Sequence, residues 1–207
     1  MAYDKFEEDM KRWNLGMKAY YHHKKSHFES LPDTEGEIIF LGNSLIDNCD
    51  WAELFQNPNI KNRGVGGDDT DGVLERLDEV TSSRPEKIFI MIGTNDLAYG
   101  KTVDVILSNY RKIIERIMEE SPETKIYLQS VLPTDDGFYP DRSNDDIMKI
   151  NRGLNELAAE KGLVYIDLYT SFENDQGILD TKYSLDGLHI KGEGYRLWKS
   201  LIEKYVQ

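Results

Sequence analysis

Five short apolar runs, separated by helix-patterned stretches, constrain this chain more than any other feature. They are Glu37–Leu41, Ile60–Val65, Lys87–Ile92, Lys125–Leu132 and Leu163–Leu168. Such runs, rich in β-branched residues and bounded by turn signals, predict strands buried on both faces. Between them lie helical periodicities at Asp71–Ser82, Val103–Met118 and Asp145–Glu160, and a last one covers Glu193–Val206. The Val103–Met118 pattern is the clearest, with Ile106, Tyr110, Ile113, Ile114 and Ile117 on one face. Strands alternating with helices predict a parallel sheet covered on both sides. Upstream, Tyr3–Ser30 reads as a polar helix with Trp13, Met17, Tyr20 and Tyr21 as its apolar stripe, and LPDTEG at 31–36 breaks it.

The chain has 207 residues, which predicts one domain, 1–207, with residues 1–30 as a helical extension packed on it. A hydrophobic fraction of 39%, with 3 Trp, 12 Tyr and 7 Phe, suits a globular protein. The net charge of −13 repels phosphate backbones, so nucleic acid is not an expected partner. The single cysteine, Cys49, rules out a disulfide framework within the chain. No run approaches the ~18 apolar residues of a membrane span, and MAYDKFEEDMKRW carries no apolar signal core. As written, the chain is expected to be cytoplasmic; removal of an export signal would make it periplasmic or secreted.

Parallel sheets bind ligands beyond the carboxyl ends of their strands. The segments expected there are polar and glycine-rich. Ser44 follows the first run, RGVGGDDT at 63–70 the second, GTND at 93–96 the third and LPTDDGFY at 132–139 the fourth. After the fifth comes a long loop holding KYSLDGLHI at 182–190.

Each piece alone has a plain reading. Ser44 is a good helix cap, Asn95 a turn residue, Gly66-Gly67 a flexible turn, and Asp186-Gly-Leu-His189 a surface turn. Together they supply what acyl transfer needs. Ser44 is a nucleophile, and His189 is a base that a carboxylate three residues earlier can orient. The Ser44 and Gly67 backbone N–H groups and the Asn95 amide are donors for an oxyanion. A glycine at 67 lets the backbone come close to a bound carbonyl.

GNS at 42–44, VGGD at 65–68, GTND at 93–96 and DGLH at 186–189 resemble the four blocks of the SGNH hydrolases, the GDSL-type esterases, in the family's order. The layout is similar to the branch holding the intracellular platelet-activating-factor acetylhydrolases and many bacterial acetylesterases. That resemblance implies a flavodoxin-like, three-layer α/β/α sandwich with a five-stranded parallel sheet. It implies Ser44 as nucleophile, Asp186 and His189 as acid and base, and Ser44, Gly67 and Asn95 as the oxyanion hole. It implies no cofactor and no metal. One departure is Asn43, where the family usually has Asp; Asn can make the same turn hydrogen bonds.

The expected reaction is hydrolysis of short-chain esters, acetyl first, through an acyl-enzyme. O-acetylated carbohydrate is the first expected substrate, with Asp135, Asp136, Phe138 and Tyr139 as a polar and aromatic rim. Within the enzyme class the alternative is a lysophospholipase or thioesterase. Outside it stand a non-catalytic binding module with this fold and a flavodoxin-like nucleotide binder. A homodimer through edge helices is compatible with the sequence, without residues that require it.

Other motifs read as structure. His22, His23 and His27 share a helix, but Lys24 stands where a zincin needs Glu. DDTDG at 68–72, TDDG at 134–137 and ENDQG at 173–177 lack the EF-hand's alternating ligands and closing Glu. GVGGDD at 64–69 is not GxGxxG, and no Walker lysine follows.

Overall fold

The computed structural model describes residues 2–207, and the side chains of residues 2–10 and of Trp13 lie outside that description. In chain order the elements are α1 (Ala2–Glu29), β1 (Ile38–Gly42), α2 (Ser44–Asp47), α3 (Trp51–Phe55), β2 (Ile60–Gly64), α4 (Thr70–Glu75), α5 (Leu77–Ser82) and β3 (Lys87–Met91). There follow α6 (Thr94–Ala98), α7 (Val103–Glu120), β4 (Lys125–Gln129), α8 (Asn144–Lys161), β5 (Val164–Ile166), α9 (Tyr169–Phe172) and α10 (Gly192–Val206). The five strands form one parallel sheet in the order β2-β1-β3-β4-β5. The order reverses between β1 and β3, and a crevice opens at such a switch point beyond the strand ends.

Alternation along each strand divides the core into two layers. Ile39, Leu41, Ile88, Ile90, Ile126 and Leu128 face the layer holding α4, α5, α7 and α8. Ile38, Phe40, Phe89, Met91, Tyr127 and Ile166 face the opposite layer with Trp51 and Trp198. On that second face Phe40, Phe89 and Tyr127 stack across three strands, with ring centroids 5.0 and 4.5 Å apart. Trp51 stacks on Phe40 at 4.4 Å and meets Trp198 edge-on at 5.1 Å. Each such pair contributes roughly 0.5–1.5 kcal/mol beyond its buried area. The architecture is the expected α/β/α sandwich with its five-stranded parallel sheet.

Three boundaries differ from the sequence expectation. Asp71–Ser82 is not one helix. It breaks at Arg76 (φ −109°, ψ 15°), whose guanidinium turns inward to Asp68 and to the Gly42 carbonyl. The fourth strand stops at Gln129 rather than running to Leu132. Beyond it Val131 pairs with the Asn151 side-chain amide through both its N–H (2.8 Å) and its C=O (2.9 Å). The fifth strand is only Val164–Ile166, because Ser130 Oγ takes the N–H groups of Leu168 and Tyr169, each at 2.8 Å.

The N-terminal helix is anchored differently from the expected stripe. Met17 and Tyr21 are half-buried and Tyr20 is exposed; Trp13 lies outside the described side chains. The buried anchor is Phe28, with the Arg63 guanidinium 4.9 Å from its ring centroid. The helix lies against the loop after β2 and the start of α4, where Tyr21 Oη donates to the Gly72 carbonyl at 2.9 Å.

Candidate active site

The chain leaves β1 through Gly42 into Asn43, whose side-chain oxygen accepts the Leu45 N–H at 3.1 Å and caps α2. Asn43 thus makes the turn hydrogen bond expected at this position. Ser44 is the first residue of that helix and is partly exposed. A helix N-terminus carries partial positive charge, which favours negative charge developing beside it.

Ser44 Oγ lies 3.1 Å from His189 Nε2, across 145 residues of sequence. His189 Nδ1 lies 2.8 Å from Asp186 Oδ2. With Nδ1 donating to the carboxylate, Nε2 is left as the acceptor facing Ser44, the tautomer a general base needs. The other carboxylate oxygen accepts the backbone N–H groups of Leu188 (3.0 Å) and His189 (2.8 Å). Partial burial pushes the Asp186 pKa up, but the His189 ring and these two N–H groups outweigh it and hold the group at about 2. Ser184, buried, closes the turn by donating to the His189 carbonyl at 2.7 Å and accepting the Gly187 N–H at 2.9 Å.

The candidate oxyanion donors are placed by a separate network. Gly67 has φ +77°, a left-handed conformation that favours glycine. Asn95 is buried, and its amide donates one N–H to the Asp68 carbonyl at 2.9 Å. That bond fixes the amide plane and leaves its second N–H for a ligand. The Ser44 and Gly67 N–H groups have no backbone or side-chain acceptor among the described residues. Next to Asn95, fully buried Asp96 accepts from the Thr70 N–H (3.1 Å), Thr70 Oγ1 (2.5 Å) and Lys101 Nζ (2.9 Å), which fastens the third strand end to the second.

A small cavity of about 10 Å³ is lined by Asn43 and Leu45 of the turn that carries Ser44, and by Thr94, Val131, Leu132 and Leu188 among others. The hydroxyl of Thr94 is buried there and has no partner among the described residues. Of the four expected rim residues, only Asp135 and Phe138 border a groove beside Asp186, of about 300 Å³. The Asp135 N–H donates to the Gly187 carbonyl at 2.7 Å, which holds this loop against the Asp186–His189 turn. Asp136 turns to the Asn144 N–H, and Tyr139 lies under the Arg142 guanidinium.

Sequence reasoning passed over Asp47 and Tyr99. Asp47 binds the Gly66 N–H at 2.9 Å, and Tyr99 Oη binds the Gly67 carbonyl at 2.9 Å. The one available signal was position: Asp47 stands three residues after Ser44, one turn along the same helix.

Residues 40–197 match the model of the GDSL-like Lipase/Acylhydrolase family. The chain is 29% identical over 174 residues to human (Homo sapiens) platelet-activating factor acetylhydrolase IB subunit alpha1, covering 79% of this chain and 72% of that one. A Streptococcus pneumonia protein provisionally described as a platelet activating factor superposes with a TM-score of 0.85 at 28% identity, covering 99% of each chain. A lipase/acylhydrolase from Enterococcus faecalis superposes with a TM-score of 0.71 at 26% identity, covering 82% of this chain and 94% of that one. The chain belongs to the GDSL-like lipase/acylhydrolase family and is an ester hydrolase.

Proposed function

We propose that this ester hydrolase is a serine esterase that removes short acyl groups, acetyl above all, using Ser44, His189 and Asp186. The observation that carries the reading is the unbroken hydrogen-bonded line from Asp186 Oδ2 through the His189 ring to Ser44 Oγ. Ser44 Oγ attacks the ester carbonyl while His189 Nε2 takes its proton. The negative charge that forms on the carbonyl oxygen is received by the Ser44 and Gly67 N–H groups and the Asn95 amide. His189 then gives its proton to the leaving alcohol, and water, activated by the same ring, hydrolyses the acyl-enzyme. Asp186 stabilises the imidazolium formed in both steps. Residues 1–207 act as one domain in this reading, with α1 part of it.

The preference for acetyl is supported by the human relative, whose name specifies an acetylhydrolase. Hydrolysis of p-nitrophenyl acetate, butyrate and octanoate tests this. Acetate is expected to give the highest kcat/KM, with octanoate lower by about 100-fold, a barrier difference of about 2.7 kcal/mol. Equal rates across the series would refute the acetyl preference.

For the alcohol half we propose an O-acetylated carbohydrate. Asp135 and exposed Phe138 border the groove beside Asp186 and offer a hydrogen-bond acceptor and a stacking face. Release of acetate from acetylated xylose, glucosamine and glycerol esters, compared at equal concentration, tests that choice. Loss of sugar preference in Phe138→Ala would support it, and an unchanged profile would count against it.

The Asp186 carboxyl gives a pH prediction. Its pKa is lowered from 3.8 to about 2 in the folded protein. Its contribution to stability is therefore full above pH 3.8 and fades as pH falls towards 2. The gap in urea midpoint between wild type and Asp186→Asn should be full near pH 4 and shrink as pH falls towards 2. A gap that stays constant down to pH 2 would contradict the pairing.

A further inference from the structure

We propose that Asp47 is a positioning residue for the reaction, and that α1 holds the oxyanion loop in register with the nucleophile through it. The proposal rests on the reading of Gly67 N–H as an oxyanion donor. Both oxygens of the Asp47 carboxylate are occupied. Oδ2 accepts the Gly66 N–H at 2.9 Å and Tyr20 Oη at 2.5 Å, and Oδ1 accepts Lys24 Nζ at 2.7 Å. Tyr20 and Lys24 are on α1, Gly66 is on the oxyanion loop, and Asp47 ends the helix that Ser44 begins. One side chain thus joins α1, the oxyanion loop and the helix that begins with Ser44. The Asp47 side chain is only 10% exposed, so its bonds are sheltered from water.

The loop around Gly67 shows why this join matters. Its polar backbone groups are tied on either side of the free N–H. Gly66 N–H goes to Asp47, the Gly67 carbonyl to Tyr99 Oη, Asp68 N–H to the Val65 carbonyl at 3.1 Å, and the Asp68 carbonyl to the Asn95 amide. Among these ties, the one from Asp47 comes from the nucleophile's own helix. It therefore sets the spacing between Ser44 and the Gly67 N–H. Backbone packing reinforces it: a Cβ at Gly64 would lie 2.1 Å from Asp47 N, so strand and helix touch. On the loop's outer side the Met17 methyl fills the space a side chain at 67 would take, 2.3 Å from a Cβ built there. Met17, Tyr20 and Lys24 all precede residue 40, where the family match begins.

An oxyanion forms in both acylation and deacylation, so a displaced donor slows both steps together. The predicted signature is a fall in kcat with little change in KM. Full loss of one oxyanion donor costs about 10²–10³ in kcat; a displaced donor should cost about 10–100-fold. Asp47→Ala should show that fall on p-nitrophenyl acetate, with KM within about twofold of wild type. The double variant Asp47→Asn with Lys24→Met keeps an acceptor oxygen for Gly66 N–H and removes the unpaired ammonium. It should recover most of kcat. Tyr20→Phe removes one bond from an exposed side chain, so it tests the join even if Asp47→Ala fails to fold, and should lower kcat several-fold.

Wild-type kcat in Asp47→Ala or in Tyr20→Phe would overturn the proposal. So would a double variant as slow as Asp47→Ala with the melting temperature of wild type. Ser44→Ala, run alongside, separates the two claims. If it is inactive while the Asp47 and Tyr20 variants are normal, the esterase reading stands and the positioning role falls. If it retains full activity, the nucleophile assignment itself is wrong.

Discussion

Ser44→Ala is expected to lower kcat on p-nitrophenyl acetate by at least about 10⁴-fold, and His189→Ala by a similar factor. The reason is geometric. Ser44 Oγ has His189 Nε2 at 3.1 Å to take its proton, and His189 has Asp186 at 2.8 Å to hold its tautomer. An alanine at either position removes a partner without which the other does nothing. Combining the two substitutions should therefore cost little more than either alone. The residual rate should come from the oxyanion donors, which neither substitution touches. Additive losses would show that the two residues act separately. Steady-state kinetics on the two single variants and the double variant decides the matter.

Arg76→Met should have the largest effect on stability. The Arg76 and Asp68 side chains are each 2% exposed. The guanidinium reaches Asp68 Oδ2 at 2.8 Å and the Gly42 carbonyl at 3.1 Å. Removing one partner of a buried pair leaves a buried charge uncompensated, which costs about 3–5 kcal/mol. For a chain of this size that is a drop in Tm of about 10 °C.

The pH dependence has a definite sign. Burial raises the Asp68 pKa from 3.8 to about 6 even against the pull of Arg76. A carboxyl raised in the folded state stabilises fully below pH 3.8 and loses that stabilisation as pH rises through 6. Without Arg76 the folded pKa moves higher, so the loss continues further. The deficit of Arg76→Met relative to wild type should therefore grow between pH 6 and 8. Adding Asp68→Leu should restore much of the stability. Chemical denaturation of the three proteins at pH 5 and 8 measures both effects. A deficit that does not change with pH would contradict the buried pairing.

The parts of the fold that could be read from the sequence are those with a local period. Ile39 and Leu41 against Ile38 and Phe40 give β1 two buried faces, and Ile106 to Ile117 give α7 its stripe. Ser44, Gly67, Asn95 and His189 could be proposed as site residues because each follows a recognisable strand or precedes a recognisable helix. The misses share a different physics. The break at Arg76 comes from a side chain drawn across to Asp68 and Gly42, contacts that leave no trace in helical periodicity. The early ends of β4 and β5 come from Asn151 and Ser130 capturing backbone groups that a strand would have used. The contacts of Asp47 were invisible because its partners, Tyr20, Lys24 and Gly66, come from separate segments. Long-range polar contacts are set by tertiary packing, and no spacing rule encodes them.

The most direct test of the central claim is to locate the nucleophile covalently. Wild-type protein would be treated with a fluorophosphonate, its intact mass measured, and the adduct mapped by peptide mass spectrometry. The account predicts one adduct per chain, on Ser44, with labelling slowed drastically in His189→Ala and absent in Ser44→Ala. No adduct on wild type, or an adduct on another residue that persists in Ser44→Ala, would contradict it.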